Sequence, residues 1–268
     1  MLHMNAYIKV KFMHYVTSNI FRLLIIILFV GCITLLSTTT NLSYFNFIYY
    51  ALLHPYLLLF FFLPIIFYSC VRLTEDIVQN ESLMLYVKSK KELFNVCAGT
   101  IFRVVNHVFI YFIIAILLCA NLFANRFDLF GRDPNYNEIL NVVGLLFNFI
   151  KLYIFTIALS TIITSIVISK TRAKILYLII IYLSLMSMLN YIEFNNIFAI
   201  LLPYRYIGVA YIFDGFNQNL IFSTIYIVFL LLISILMLKK MVSLKERSLW
   251  SVLFGMIFPS FYQNIKKL

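Results

Sequence analysis

Charge is what this sequence has least of. Of its 268 residues only 12% are Asp, Glu, Lys or Arg, about half the share found in soluble domains. A chain that is 63% hydrophobic, with a mean hydropathy of +0.98, has too little polar surface to cover itself in water. Acids are scarcer than bases, 10 against 21, which leaves a net charge of +11. Glycine (7) and proline (5) are few, and no Gly-rich phosphate loop occurs, so the chain does not hydrolyse nucleotide itself. Neither a His-Glu-x-x-His zinc helix nor a Gly-x-Ser-x-Gly elbow is present. The four histidines (His3, His14, His54, His107) are scattered, and the Asn106-His107 pair reads as packing rather than catalysis. The four cysteines (Cys32, Cys70, Cys97, Cys119) form no C-x-x-C, which favours apolar packing over redox or metal chemistry.

What the chain has instead is long apolar runs. They predict an all-α integral membrane protein with six transmembrane helices, at about 20–38, 48–70, 104–124, 149–169, 175–190 and 220–238. Pro55 and Pro64 are expected to kink the second span, because each removes a backbone donor and crowds the preceding turn. The fourth run extends from Ile139 to Ser169. It is either one long tilted helix or an outer piece over 139–148 followed by the span proper. Residues 190–219 hold two apolar patches too short to cross, which predicts an outer re-entrant hairpin around Pro203, Tyr204 and Arg205. Residues 1–22 are basic, and Tyr7, Ile8, Phe12 and Tyr15 give them an apolar face suited to the membrane surface. The tail, 239–268, is basic and carries the one Trp, at position 250. No acid falls within any of the six spans, which weighs against an intramembrane enzyme.

The bases are unevenly spread. The N-terminus, residues 71–103, the 169–174 loop and the tail hold 17 of the 21 Lys and Arg, whereas the acids divide evenly between the two sides. That is the positive-inside pattern, and it places both termini in the cytoplasm. It also explains the net charge without nucleic acid. The bias towards Phe, Ile, Asn, Tyr and Lys suggests the cytoplasmic membrane of a low-GC bacterium.

Residues 72–103 are the longest mixed-charge segment. Two antiparallel spans need only a few residues to connect them. Leu83, Tyr86 or Val87, Lys90 and Phe94 recur at helical spacing, with Asn80 as a possible cap and Glu81 suited to the helix N-terminus. The expectation is an amphipathic helix over Glu81–Phe94, lying along the inner membrane surface. A plain solvated connector is the alternative.

This layout resembles the transmembrane subunit of ABC-2 type ATP-binding-cassette exporters. The resemblance rests on the six spans, the basic N-terminal segment, the cytoplasmic helix between spans two and three and the outer hairpin between spans five and six. It rests also on a degenerate motif: Glu75, Asp76 and Glu81, then Ser82, Leu83, Leu85, Ser89, Lys90 and Lys91. The Gly and Pro of the family pattern are absent; Asn80-Glu81 and Lys90 stand near their places. The resemblance implies that Glu81, Ser82, Leu83, Leu85, Tyr86, Lys88, Lys90, Lys91 and Phe94 belong to a coupling helix docked on a separate ATPase subunit. That partner would carry the ATP and Mg, with no cofactor, metal or catalytic residue in this chain. A second permease subunit would complete the transporter. The implied cargo is an amphipathic or hydrophobic molecule such as a peptide, bacteriocin, toxin or antibiotic. The rival expectation is a stand-alone six-span channel, or an immunity or assembly factor, without an ATPase.

Within the fourth span, positions 141, 144, 148, 151, 155, 158, 162, 165 and 169 advance by threes and fours and read Asn, Gly, Asn, Lys, Phe, Ala, Ile, Ser, Ser. Such a face should turn away from lipid. Asn141, Asn148, Lys151 and Ser165 are therefore candidates for a pathway or a subunit interface. Alternatively, Lys151 snorkels to the outer surface.

Overall fold

The computed structural model describes residues 2–39, 42–52, 54–79, 89–125, 138–169, 224–225 and 227–242. Every regular element among them is a helix. In order these are α1 (Leu2–Thr17), α2 (Asn19–Leu36), α3 (Tyr44–Leu52), α4 (Pro55–Leu57), a π-helical turn (Leu58–Phe62), α5 (Leu63–Val78), α6 (Lys90–Phe123) and α7 (Glu138–Ser169). A further helix, α8, covers 227–242. Among the described residues three helices are long and apolar enough to cross a membrane: Asn19–Leu36, Lys91–Phe123 and Leu145–Ile168. The fifth span (175–190), the outer hairpin and the tail beyond Val242 lie outside the described residues.

Local chemistry sets the breaks between helices. Ser18 is extended (φ −67°, ψ 149°) and its hydroxyl accepts the Phe21 N–H at 3.3 Å, so α1 stops and α2 starts there. The second expected span is interrupted where its prolines sit, and by two different devices. Pro55 opens α4 directly after His54, whose Nδ1 accepts the Leu57 N–H at 3.3 Å. Ahead of Pro64 the helix widens. The Leu63 N–H reaches back five residues to the Leu58 carbonyl, a register that accommodates the donor missing at the proline.

The helices pack as a bundle. The isolated bridge Ser43–Asn125, with the Asn125 N–H donating to the Leu42 carbonyl at 3.0 Å, ties the start of α3 to the end of α6. It marks one end of the bundle. The opposite, basic end carries the start of α2, the end of α5 and the start of α6. Helices α5 and α7 therefore run parallel, and α6 runs against both. Phe62 stacks on Phe112 at 4.2 Å, while Phe109 meets Phe149 and Tyr153 edge-on at 5.1 Å. Fully buried Leu28, Cys32 and Leu36 bring the inner face of α2 into the same core. At Gly31 a side chain would strike the Phe61 ring, so only glycine permits this approach of α2 to the π-helical turn. The outward faces of α2, α6 and α8 are lined with exposed Leu, Ile, Val and Phe, a surface compatible with lipid.

Two expectations are corrected here. The apolar face of α1 turns onto the bundle: Ile8 (3% exposed) and Tyr15 (7%) are buried, Phe12 lies edge-on to His107 at 5.4 Å, and the Tyr15 hydroxyl donates to Ser69 Oγ at 2.9 Å. At Ile8, Phe12 and Tyr15 the protein itself covers the face that was assigned to the membrane surface. The second concerns the helix that carries the third expected span, which begins well before residue 104. Helix α6 starts at Lys90, capped by the Ser89 hydroxyl on the Glu92 N–H at 3.2 Å, and continues for 34 residues. At about 1.5 Å per residue it is roughly 50 Å long, well beyond a hydrocarbon core of about 30 Å. Lys90–Phe94 is thus the opening of a long helix capped by Ser89 rather than the end of a separate surface helix; Asn80 and residues 81–88 lie outside the described residues.

Candidate functional site

The polar atoms inside the bundle gather on α7, the most enclosed of the three candidate spans. Lys151 is 4% exposed and its Nζ lies 4.6 Å from the centroid of the Phe147 ring. Snorkelling to the surface is therefore not its arrangement, and the cation is packed among helices. Below it Thr156, Ser160, Thr161, Thr164 and Ser165 are all buried. Three of these hydroxyls bond to carbonyls four residues back: Thr156 to Leu152 (2.7 Å), Thr161 to Ile157 (2.8 Å) and Ser165 to Thr161 (2.7 Å). Thr100 on α6 does the same to Val96 at 2.8 Å.

The remaining hydroxyls are distinctive. Cys70 of α5 reaches the Ile101 carbonyl of α6 at 4.0 Å and meets the Ser160 hydroxyl of α7. Because α5 and α7 are parallel, four residues further along each helix bring Thr74 and Thr164 to the same level. Both are 0% exposed, and neither hydroxyl has a hydrogen-bond partner among the described residues. Arg103 on α6 also buries a guanidinium nitrogen with no such partner, but because α6 runs against α5 and α7 it lies on the other side of the Cys70–Ile101 level from Thr74 and Thr164. Buried polar groups are nearly always satisfied, so a cluster of exceptions marks a place where something else is accommodated or strain is stored.

This level offers hydroxyls and a thiol, and no group of three His, Cys, Asp or Glu among the described residues could hold a metal. All four cysteines are buried free thiols. His107 is half-buried among Phe12, Phe21 and Tyr111.

The structure separates the residues singled out from the sequence. Glu81, Ser82, Leu83, Leu85, Tyr86 and Lys88 lie outside the described residues, as do Pro203, Tyr204 and Arg205. Lys90, Lys91 and Phe94 sit on the first two turns of α6, Lys91 exposed and Phe94 packed against the core. Asn141 and Asn148 fall on α7. Lys151 and Ser165 are both buried on that helix, together with Phe155 and Ala158 of the same stripe. The stripe does turn inward where it is described. Sequence reasoning overlooked Thr156, Ser160 and Thr164, spaced by four residues on α7, and their counterparts Ser69, Thr74 and Thr100. Their helical spacing was available as a signal, but threonine among Ile and Val resembles apolar packing.

No family model matches this sequence, and neither curated proteins nor solved structures give a significant match.

Proposed function

We propose that this chain is the membrane permease subunit of an ATP-driven exporter, with six spans and both termini in the cytoplasm of a bacterial membrane. A separate ATPase subunit would supply the energy and a second permease subunit the other half of the pathway. The observation that carries the reading is the buried polar layer of α5, α6 and α7, set in a bundle whose outer surface is apolar. A permease needs polar positions inside a membrane bundle where a passing molecule or a moving helix can use them. The uneven distribution of Lys and Arg supports the orientation. The cargo class that suits so apolar a chain is an amphipathic or hydrophobic molecule, a peptide or an antibiotic.

The second reading, a six-span channel or immunity factor that works without an ATPase, draws support from α6. With α5 ending at Val78 and α6 starting at Lys90, only residues 79–89 remain for a docking element between them. The two readings part on one experiment. A tagged chain expressed with its neighbouring genes should co-purify with an ATPase, and Leu85→Glu with Tyr86→Glu should release that ATPase while the chain stays in the membrane. An unaltered complex in the variant rules out the docking assignment. Recovery of the chain with no nucleotide-hydrolysing subunit supports the second reading.

A further inference from the structure

A cleft of about 400 Å³ opens at the basic end of the bundle, between α1, the Ser18 break and the last turns of α5. Lys11, His14, Ser18 and Arg72 contribute its polar walls, and Asp76 is the one acid that lines it. Its deeper side is apolar, formed by buried Tyr15 and Leu73. Arg72 is held in place by one of its five donors, which meets the Tyr68 hydroxyl at 2.6 Å. Three groups able to donate to an anion thus converge on a concave site.

A second observation indicates what the anion is attached to. Ile20 lines the cleft and is 42% exposed. From Ile20, an exposed stripe continues up α2 through Leu23, Ile27 and Val30, advancing by three and four residues along one face. The cationic cleft and this apolar stripe are continuous, a charged pocket at the foot of a greasy track. A free phosphate would use only the first; a lipid would use both.

We propose that this cleft binds the phosphate of an anionic lipid. Lys11, His14 and Arg72 hold the phosphoryl oxygens and the acyl chains follow Ile20, Leu23, Ile27 and Val30. Asp76 limits how tightly the headgroup is held. The site fixes α1 against the bundle at the level of the lipid headgroups, and it does so independently of any ATPase.

Native mass spectrometry of the purified full chain tests this, with phosphatidylglycerol, phosphatidylcholine and inorganic phosphate as probes. One phosphatidylglycerol adduct should form at concentrations where phosphatidylcholine gives none. Lys11→Gln and Arg72→Gln should each weaken it about tenfold, as expected for losing a charge-assisted contact. Arg72→Lys should recover part of that loss, and Asp76→Asn should tighten binding. Lys9→Gln, an exposed cation on the same helix that does not line the cleft, should change it less than twofold. Equal losses from Lys9→Gln and Lys11→Gln would show a diffuse surface attraction and overturn the site. Equal adducts from the two lipids would overturn the requirement for an anion. Inorganic phosphate binding as tightly as phosphatidylglycerol would overturn the lipid assignment.

Discussion

Replacing Thr74 or Thr164 with valine should make the protein more stable. Valine keeps the volume and the β-branch, so the change deletes a hydroxyl and little else. Both residues are 0% exposed and both hydroxyls are without a hydrogen-bond partner among the described residues. A buried polar group left unsatisfied costs about 1–3 kcal/mol. In a protein of this size each kcal/mol moves the melting temperature by roughly 2–4 °C. Each variant should therefore melt about 3–10 °C higher in mild detergent, measured by the soluble fraction that survives heating on a sizing column. Because the helix register sets the two at one level, the double variant should depart from additivity. Thr156→Val and Thr161→Val are the controls. Their hydroxyls already bond within the helix at 2.7 and 2.8 Å, so their removal should be neutral or cost about 1 kcal/mol. A fall in melting temperature for Thr74→Val and Thr164→Val alike would refute the reasoning, because it would mean that the hydroxyls are satisfied. The same variants bear on function. If the layer serves a pathway, stability should rise while export falls, the usual trade at a working site. Stability that rises with export unchanged would reduce the layer to a packing defect.

Other outcomes follow from single contacts. Gly31→Ala should destabilise, because the new methyl meets the Phe61 ring, whereas Gly99→Ala meets nothing within 4 Å and should gain up to about 1 kcal/mol of helix propensity; thermal melts of the pair decide. Tyr15→Phe should cost about 1 kcal/mol by removing the 2.9 Å bond to Ser69. Burial also pushes the Tyr15 phenol above its ordinary value of 10.0. Its contribution is thus complete below pH 10 and lost as pH rises through the higher folded value, and the alkaline loss should be smaller in Tyr15→Phe. Ser89→Ala should cost about 1 kcal/mol by uncapping α6, and hydrogen exchange over Lys90–Leu93 should quicken. Lys151→Leu should leave the fold intact and reduce export if the inward stripe of α7 lines a pathway; undiminished export would remove that role.

The apolar skeleton was legible in the sequence because membrane spans are governed by one property. Hydropathy placed α2 within a residue or two of its observed bounds, and it put the disturbance of the second run at Pro55 and Pro64. The inward turn of Phe155, Ala158 and Ser165 was legible because a small and polar stripe at helical spacing turns away from lipid, whereas Lys151 could equally have snorkelled to the outer surface. Hydropathy is blind in two places. Threonine and serine on α7 hide their hydroxyls among β-branched neighbours, and only the packing of α5 and α7 shows which of them lack partners.

The start of α6 is the other blind place, and it changes the functional argument most. The charge between residues 72 and 103 read as a surface helix over Glu81–Phe94 set apart from the third span, yet Lys90–Arg103 belongs to the same helix as that span. Leu93, Val96 and Cys97 are buried while Lys91 and Asn95 are exposed, so the segment is amphipathic and continuous with the apolar run above it. A helix that projects beyond the bilayer and a solvated loop have the same composition, so polarity alone cannot tell them apart. A cap can. Ser89-Lys90-Lys91-Glu92 has the Ser-x-x-Glu form of a capping box, and the Ser89 hydroxyl does take the Glu92 N–H. Any coupling element must then be built from residues 79–89 together with the projecting turns of α6. A load applied there would be transmitted along one unbroken helix to Thr100 and to the Ile101 carbonyl that Cys70 meets. The short connector that favours the reading without an ATPase thus leaves a coupled transporter one route, through α6 itself.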